Sequence, residues 1–341
     1  MSFDPWSALP AALGGTAGRG RIRARDEDFI VEEELGFAPT GSGEHLFLRL
    51  RETGCNTDWV AGRLARWAGR PRNDIGYAGL KDRHAVTEQW FSVRFPAGRH
   101  PDPAELSIPG VELLEHALHD RKLKRGALRG NRFRLRVTEL EADREALEAR
   151  LGAIGTRGVP NAFGPQRFGR AQGNLRLAEA WFAGGRAPRR AERGFALSAA
   201  RSLIFNAVLA ERIAAGDWEQ AAPGDVVGLD GRNSWFIAEA GDSALAERLA
   251  TLDVHPTGPL WGRGEPPGHG PGAALERVVA GRFSLYAAGL AGAGLEQERR
   301  ALRVRVRDLA WHFGGDVLEL SFELPAGAYA TAVLRELVAV D

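Results

Sequence analysis

The stretch Arg132–Val137, reading RFRLRV, constrains this chain more than any other because it alternates without a break. Successive side chains of a strand point to opposite faces. Arg132, Arg134 and Arg136 must therefore share one face, with Phe133 and Leu135 on the other. The same period of two recurs at Phe29 and Val31, at Leu46, Leu48 and Leu50, and over Gln89–Phe95, Arg303–Leu309 and Asp316–Leu324. The turn-forming cluster Pro39–Gly43 predicts a hairpin between the first two of these strands.

Between the alternating segments lie stretches with helical spacing. Residues 57–68 carry Val60, Leu64 and Trp67 on one stripe, with Asn56 or Thr57 to cap the start and Gly69 and Pro71 to stop it. Leu140–Leu151, Ala199–Ala214 and Ala330–Val338 read as further helices, and residues 1–20 as a loosely held terminus. Strands and helices interleave without strict βαβ order and without a repeat of fixed period. The expected class is α+β, with a mixed sheet.

At 341 residues, 44% hydrophobic and 26% charged, the chain is too apolar for disorder and long enough for two cores. Its single cysteine, Cys55, excludes an internal disulfide framework and suggests a reducing compartment. No run approaches the ~18–20 apolar residues of a membrane helix, and the start has no secretory pattern. A cytoplasmic protein without membrane partners is expected.

Two constellations carry chemistry. Residues 121–136, RKLKRGALRGNRFRLR, hold eight basic residues and no acid in a chain of net charge +1. Such an excess is a footprint for a polyanion. Asn131 and Phe133 beside it add an amide and a ring, the kinds of group by which unstacked RNA bases are held, so a nucleic acid is the expected polyanion. The competing reading is a solvated arginine-rich edge strand.

The second constellation is Tyr77–His84, YAGLKDRH, where Asp82 lies between Lys81 and Arg83 after a glycine turn. Neighbouring cations favour the ionised carboxylate, which suits a nucleophile or base better than a general acid. Spacing alone does not separate this from an ordinary loop ion pair. His116 and His119 would share a helix face but lack further ligands, so no metal is expected. The Gly/Pro-rich loop 262–272 lacks the Gly-Lys-Ser/Thr ending of a phosphate loop, and no GxSxG elbow occurs.

Taken in order, EDFIVEEELGF at 27–37, NTDWVAGRLA at 56–65, GYAGLKDRHAVTEQWFSV at 76–93, HDRKLKRGALRGNRFRLRV at 119–137, GVPNAFGPQRFG at 158–169 and SFELPAGAYATAVLREL at 321–337 resemble the TruD family of tRNA pseudouridine synthases. The resemblance spans nearly the whole chain. It implies a pseudouridine synthase domain, with a mainly antiparallel sheet flanked by helices, formed by residues 1–157 and 301–341. A second domain, residues 158–300, would be inserted into it. It implies Asp82 as the catalytic aspartate and Phe29, Asn131, Phe133 and Phe322 as base-site residues, with Lys81 and Tyr77 in support.

The activity implied is conversion of uridine to pseudouridine in tRNA, at position 13. The reaction conserves every substrate atom, so no cofactor is expected. tRNA would be the partner and a monomer the default state. A non-catalytic tRNA chaperone on the same fold is the rival from another class. A methyltransferase would need a Gly-rich cofactor loop, which is not found.

Overall fold

A computed structural model describes residues 4–340. By packing, the chain divides into two units. One comprises Gly18–Ala142 and Arg307–Gly327 with Val340; the other comprises residues 4–17, Asp143–Val306 and Ala328–Ala339. The chain passes between the units at 17/18, 142/143, 306/307, 327/328 and 339/340. No helix among the described residues is long and apolar enough to cross a membrane.

The first unit is built on a sheet. Its strands are β1 (Gly18–Ile22), β2 (Phe29–Leu35), β3 (His45–Thr53), β4 (Ile75–Tyr77), β5 (Val86–Arg94), β6 (Val111–His119), β7 (Leu128–Ala142), β8 (Arg307–Gly314) and β9 (Val317–Pro325). Seven run in the order β8-β9-β7-β2-β5-β3-β6, while β1 pairs with β7 and β4 with β5. Only β2 and β5 of these neighbours are parallel. The sheet is thus mixed and mainly antiparallel, as expected.

The hairpin predicted around Pro39–Gly43 does not form. β5 lies between β2 and β3 and takes hydrogen bonds from both. Alternation sets the facing of a strand but carries no information on its partner.

Helix α1 (Thr57–Trp67) starts where Asn56 Oδ1 accepts from the Asp58 amide at 2.9 Å. It buries Val60, Ala61 and Leu64 against Leu46, Leu48 and Leu50 of β3 and Phe91 and Val93 of β5. Each large aliphatic buried in this way contributes ~1.5–3 kcal/mol.

Two sequence-based assignments shift. The helix expected over Leu140–Leu151 begins only at Arg144, because β7 runs on to Ala142 and the Asp143 carboxylate caps the Ala146 amide. His116 and His119 lie on strand β6, where a spacing of three puts them on opposite faces. His119 is buried, stacks on Phe37 and accepts from the Thr40 amide.

The second unit is mainly helical. Helix Arg190–Ala214 is its spine and buries Leu203, Ile204, Phe205 and Leu209. Helices Gly173–Phe182, Gly270–Arg282 and Ser284–Gly292 pack around it. A four-stranded antiparallel sheet, ordered Trp235–Ile237, Val226–Leu229, Val254–Leu260 and Glu298–Ala301, completes the unit. Residues 4–17 are anchored here rather than loose. Leu9 is buried in the helical core, and Glu336 accepts from the amides of Ala12 and Leu13.

Candidate active site

β7 registers Asn131 and Phe133 beside Glu33 and Val31 of β2, and beside Leu324 and Phe322 of β9. The period-two side of all three strands therefore converges on one face. Phe133 stands edge-on to Phe29, with ring centroids 6.4 Å apart, and stacks on Phe322 at 5.4 Å. Such pairs add ~0.5–1.5 kcal/mol beyond the area they bury. Phe29 and Phe133 are nearly buried, and Phe322 wholly so.

Asp82 lies in the loop between β4 and β5, and the loop is tied at three points. Gly126 N donates to Ala78 O at 2.8 Å, Gln89 Nε2 to Gly79 O at 2.7 Å, and Lys81 N to Thr57 Oγ1 at 3.0 Å. The Asp82 carboxylate is about one-third exposed and accepts from Arg23 Nη2 at 2.7 Å. Arg23 also lays its guanidinium 4.1 Å over the Phe29 ring, joining the carboxylate to the aromatic row. Its backbone is left-handed, at φ 57°, a conformation that costs an L residue ~1–2 kcal/mol.

In the sequence the cations nearest Asp82 are Lys81 and Arg83. Arg83 instead donates through Nε to Gly54 O at 3.3 Å, and Arg23 holds the carboxylate. Nothing in the spacing of Arg19, Arg21, Arg23 and Arg25 distinguishes the third of them.

Lys81 turns inward from the same loop. Its Nζ is 2.7 Å from Glu33 Oε1 and donates to Asn131 Oδ1, also at 2.7 Å. Glu33 accepts further from Trp90 N at 3.1 Å and Gln89 Nε2 at 3.3 Å. Burial pushes the Glu33 carboxyl up, against the pull of the Lys81 ammonium and these donors. With its oxygen engaged by Lys81, Asn131 keeps its Nδ2 as the amide donor.

Glu33 was missed, although a signal existed: it occupies the apolar side of the alternation Phe29, Val31, Glu33. Tyr77 stands apart from this group. Its hydroxyl donates to Asp58 Oδ1 at 2.6 Å, and its ring packs in the α1 core beside Phe91.

The basic segment splits in two. Residues 121–126 run alongside β4 because Gly76 leaves room: a Cβ there would stand 2.3 Å from the Leu123 carbonyl. Leu123 is buried, while Lys122 donates to Asn73 O at 2.5 Å and Arg125 to the Tyr77 hydroxyl at 3.3 Å.

Arg132, Arg134 and Arg136 occupy the other face of β7 and meet carboxylates there. Arg132 pairs with Glu323, Arg134 with Glu32, and Arg136 with Glu319 at 3.2 Å. The polyanion footprint read over 121–136 is therefore neutralised along its second half. A cleft of about 370 Å³ opens on the sheet, lined in part by Arg134, Arg136, Trp311 and His312, and none of the candidate site residues lines it.

The family model described as tRNA pseudouridine synthase D (TruD) matches residues 12–185 and 185–337. The chain is 51% identical over 340 residues to the tRNA pseudouridine synthase D of Methylococcus capsulatus, covering 98% of this chain and 95% of that protein. It is 48% identical over 328 residues to that of Aeromonas salmonicida, covering 96% and 93%. In fold it is similar to the crystal structure of the putative tRNA pseudouridine synthase D from Methanosarcina mazei. The TM-score is 0.74 at 21% identity, covering 96% of this chain and 95% of that one. The chain belongs to the TruD family of tRNA pseudouridine synthases.

Proposed function

We propose that Asp82 is the carboxylate with which this tRNA pseudouridine synthase isomerises uridine to pseudouridine, and that its target is uridine 13 of tRNA. One observation carries the reading. The Asp82 carboxylate is held at 2.7 Å by Arg23, whose guanidinium lies on the first ring of an aromatic row.

Pseudouridine formation breaks the bond from C1′ to N1, turns the base and rejoins it through C5. Attack on C1′, attack on C6 and removal of the 2′ proton all require an ionised carboxylate beside the nucleoside. Arg23 holds and aims the Asp82 carboxylate. The detached base must be retained while it turns. Phe29 and Phe133 give it a flat apolar surface, with Phe322 stacked behind Phe133, and Asn131 Nδ2 reaches its edge.

Extruding the uridine costs a few kcal/mol, ~2–4 for a stacked base. Phosphate contacts from Arg121, Lys122, Lys124 and Arg125 offset this. These cations flank the strand that leads into the Asp82 loop. The same reading places residues 158–300 as an insertion in the catalytic domain, and the protein in the cytoplasm as a monomer.

The test is Asp82→Asn. It should bind tRNA within about threefold of the parent and release tritium from 5-labelled uridine at least roughly 10³-fold more slowly. Turnover near the parental rate would remove Asp82 from the mechanism. A parent that binds tRNA and never isomerises it would favour the chaperone reading. Carbodiimide mapping of tRNA from cells with and without the gene locates the modified nucleotide.

A further inference from the structure

The turn after β3 cradles the Asp82 loop, through Thr57 Oγ1 on the Lys81 amide and the Gly54 carbonyl on Arg83 Nε. Glu52 is the last residue on the inward side of β3 before this turn, following Leu46, Leu48 and Leu50. It is 1% exposed, and neither carboxyl oxygen has a hydrogen-bond partner among the described residues. A buried acid at an apolar position, with nothing to satisfy it, costs stability and calls for a reason.

Its surroundings are these. Across the sheet it faces Thr87 of β5 and Val111 of β6, neither of them charged. The titratable groups that interact with it are Glu33 of β2, Lys81 of the loop and Cys55 of the turn. Two carboxyls thus lie within the field of one ammonium, which only Glu33 contacts.

Glu33 has the Lys81 contact and two N–H donors besides, whereas Glu52 has none, so the negative charge settles on Glu33 and the proton on Glu52. Burial and the Glu33 charge push the Glu52 carboxyl up to about 8, with Lys81 opposing. Burial, and then Glu52, push the Cys55 thiol up as well.

We propose that Glu52 is a positioning residue for the Asp82 loop: as the uncharged acid it leaves the Lys81 ammonium to Glu33 and Asn131, and on ionising it draws that ammonium away and displaces the loop. Lys81 is adjacent to Asp82 in the chain, and its Nζ orients the Asn131 amide. Movement of the ammonium toward Glu52 therefore disturbs the carboxylate and the base-edge donor together. Activity is lost as Glu52 loses its proton, on the alkaline side of neutrality, while tRNA binding through the exposed cations is unaffected. This rests on Asp82 starting the reaction.

The test compares the parent with Glu52→Gln, which keeps the shape of the acid and cannot ionise. Two readouts are taken between pH 7 and pH 9: kcat on saturating tRNA, and hydrogen exchange of the peptide containing residues 78–85. In the parent, kcat should fall about tenfold and protection of the peptide should drop with it. In Glu52→Gln both should change less than twofold, any titration of the substrate's own base being common to the two proteins. Identical pH profiles for parent and variant in both readouts would overturn the proposal. Exchange that follows Glu52 while kcat does not would uphold the loop displacement and count against Asp82 as the initiating group.

Discussion

β7 lends alternate side chains to two faces, and the two treat charge in opposite ways. On one face Arg132, Arg134 and Arg136, each about half exposed, meet a row of carboxylates across the neighbouring strands. On the other, Asn131 and Phe133 lie with Phe29 and Phe322 around a single buried pair, Lys81–Glu33. Exposed pairs exchange water for a partner at little net gain, ~0–1 kcal/mol each. A buried pair is different, because each charge has given up its hydration and depends on the other. Many cations on the wet face therefore count for less toward stability than one on the dry face.

The sharpest way to break this contrast is Lys81→Met. It strands the Glu33 carboxyl at a fully buried position and should cost ~3–5 kcal/mol in urea unfolding. Adding Glu33→Gln should recover much of that loss, since the penalty comes from the unpaired charge. A cost below ~1 kcal/mol for Lys81→Met would make the dry-face pair no different from the wet-face ones.

Next in size is the pH dependence of stability at Glu52, with its carboxyl raised from 4.5 to about 8 in the folded protein. The folded state then holds a proton that the unfolded state has released. The stabilisation is complete below pH 4.5 and is lost as pH rises toward 8. Relative to the parent, Glu52→Gln should gain roughly 3 kcal/mol between pH 4 and pH 7, read from paired denaturation curves. Taking the difference across pH cancels any constant cost of the buried amide.

How much of this was legible in the sequence follows from what a linear pattern can carry. Alternation at Phe29, Val31 and at Phe133, Leu135 set the facing of side chains correctly, and the Asn56 cap placed α1 to within a residue. The motif GLKDR marked the loop that bears Asp82. Partnership between strands was not legible, so a hairpin was expected where β5 intervenes. Charge compensation was hidden for the same reason. The carboxylates that neutralise Arg132 and Arg134 come from β9 and β2, some 190 and 100 residues away along the chain. Arg23 was hidden because its aim depends on its own left-handed backbone, one residue past the end of β1.

The smallest expected effects bear on the RNA. Arg134→Gln should change stability by less than ~1 kcal/mol. Combined with Glu32→Gln, which removes the partner charge as well, it should leave the salt dependence of tRNA binding unaltered. Each phosphate contact contributes ~0.7–0.9 to the slope of log affinity against log salt. Replacing Arg121, Lys122, Lys124 and Arg125 by Gln should therefore lower that slope by about 2–4, as three or four phosphates are left without a cation. A fall of about 0.7–0.9 from the Arg134 and Glu32 pair alone would mean that Arg134 leaves its carboxylate for a phosphate. The wet face would then be a second RNA surface, and its many weak pairs would be reserves of charge rather than spent ones.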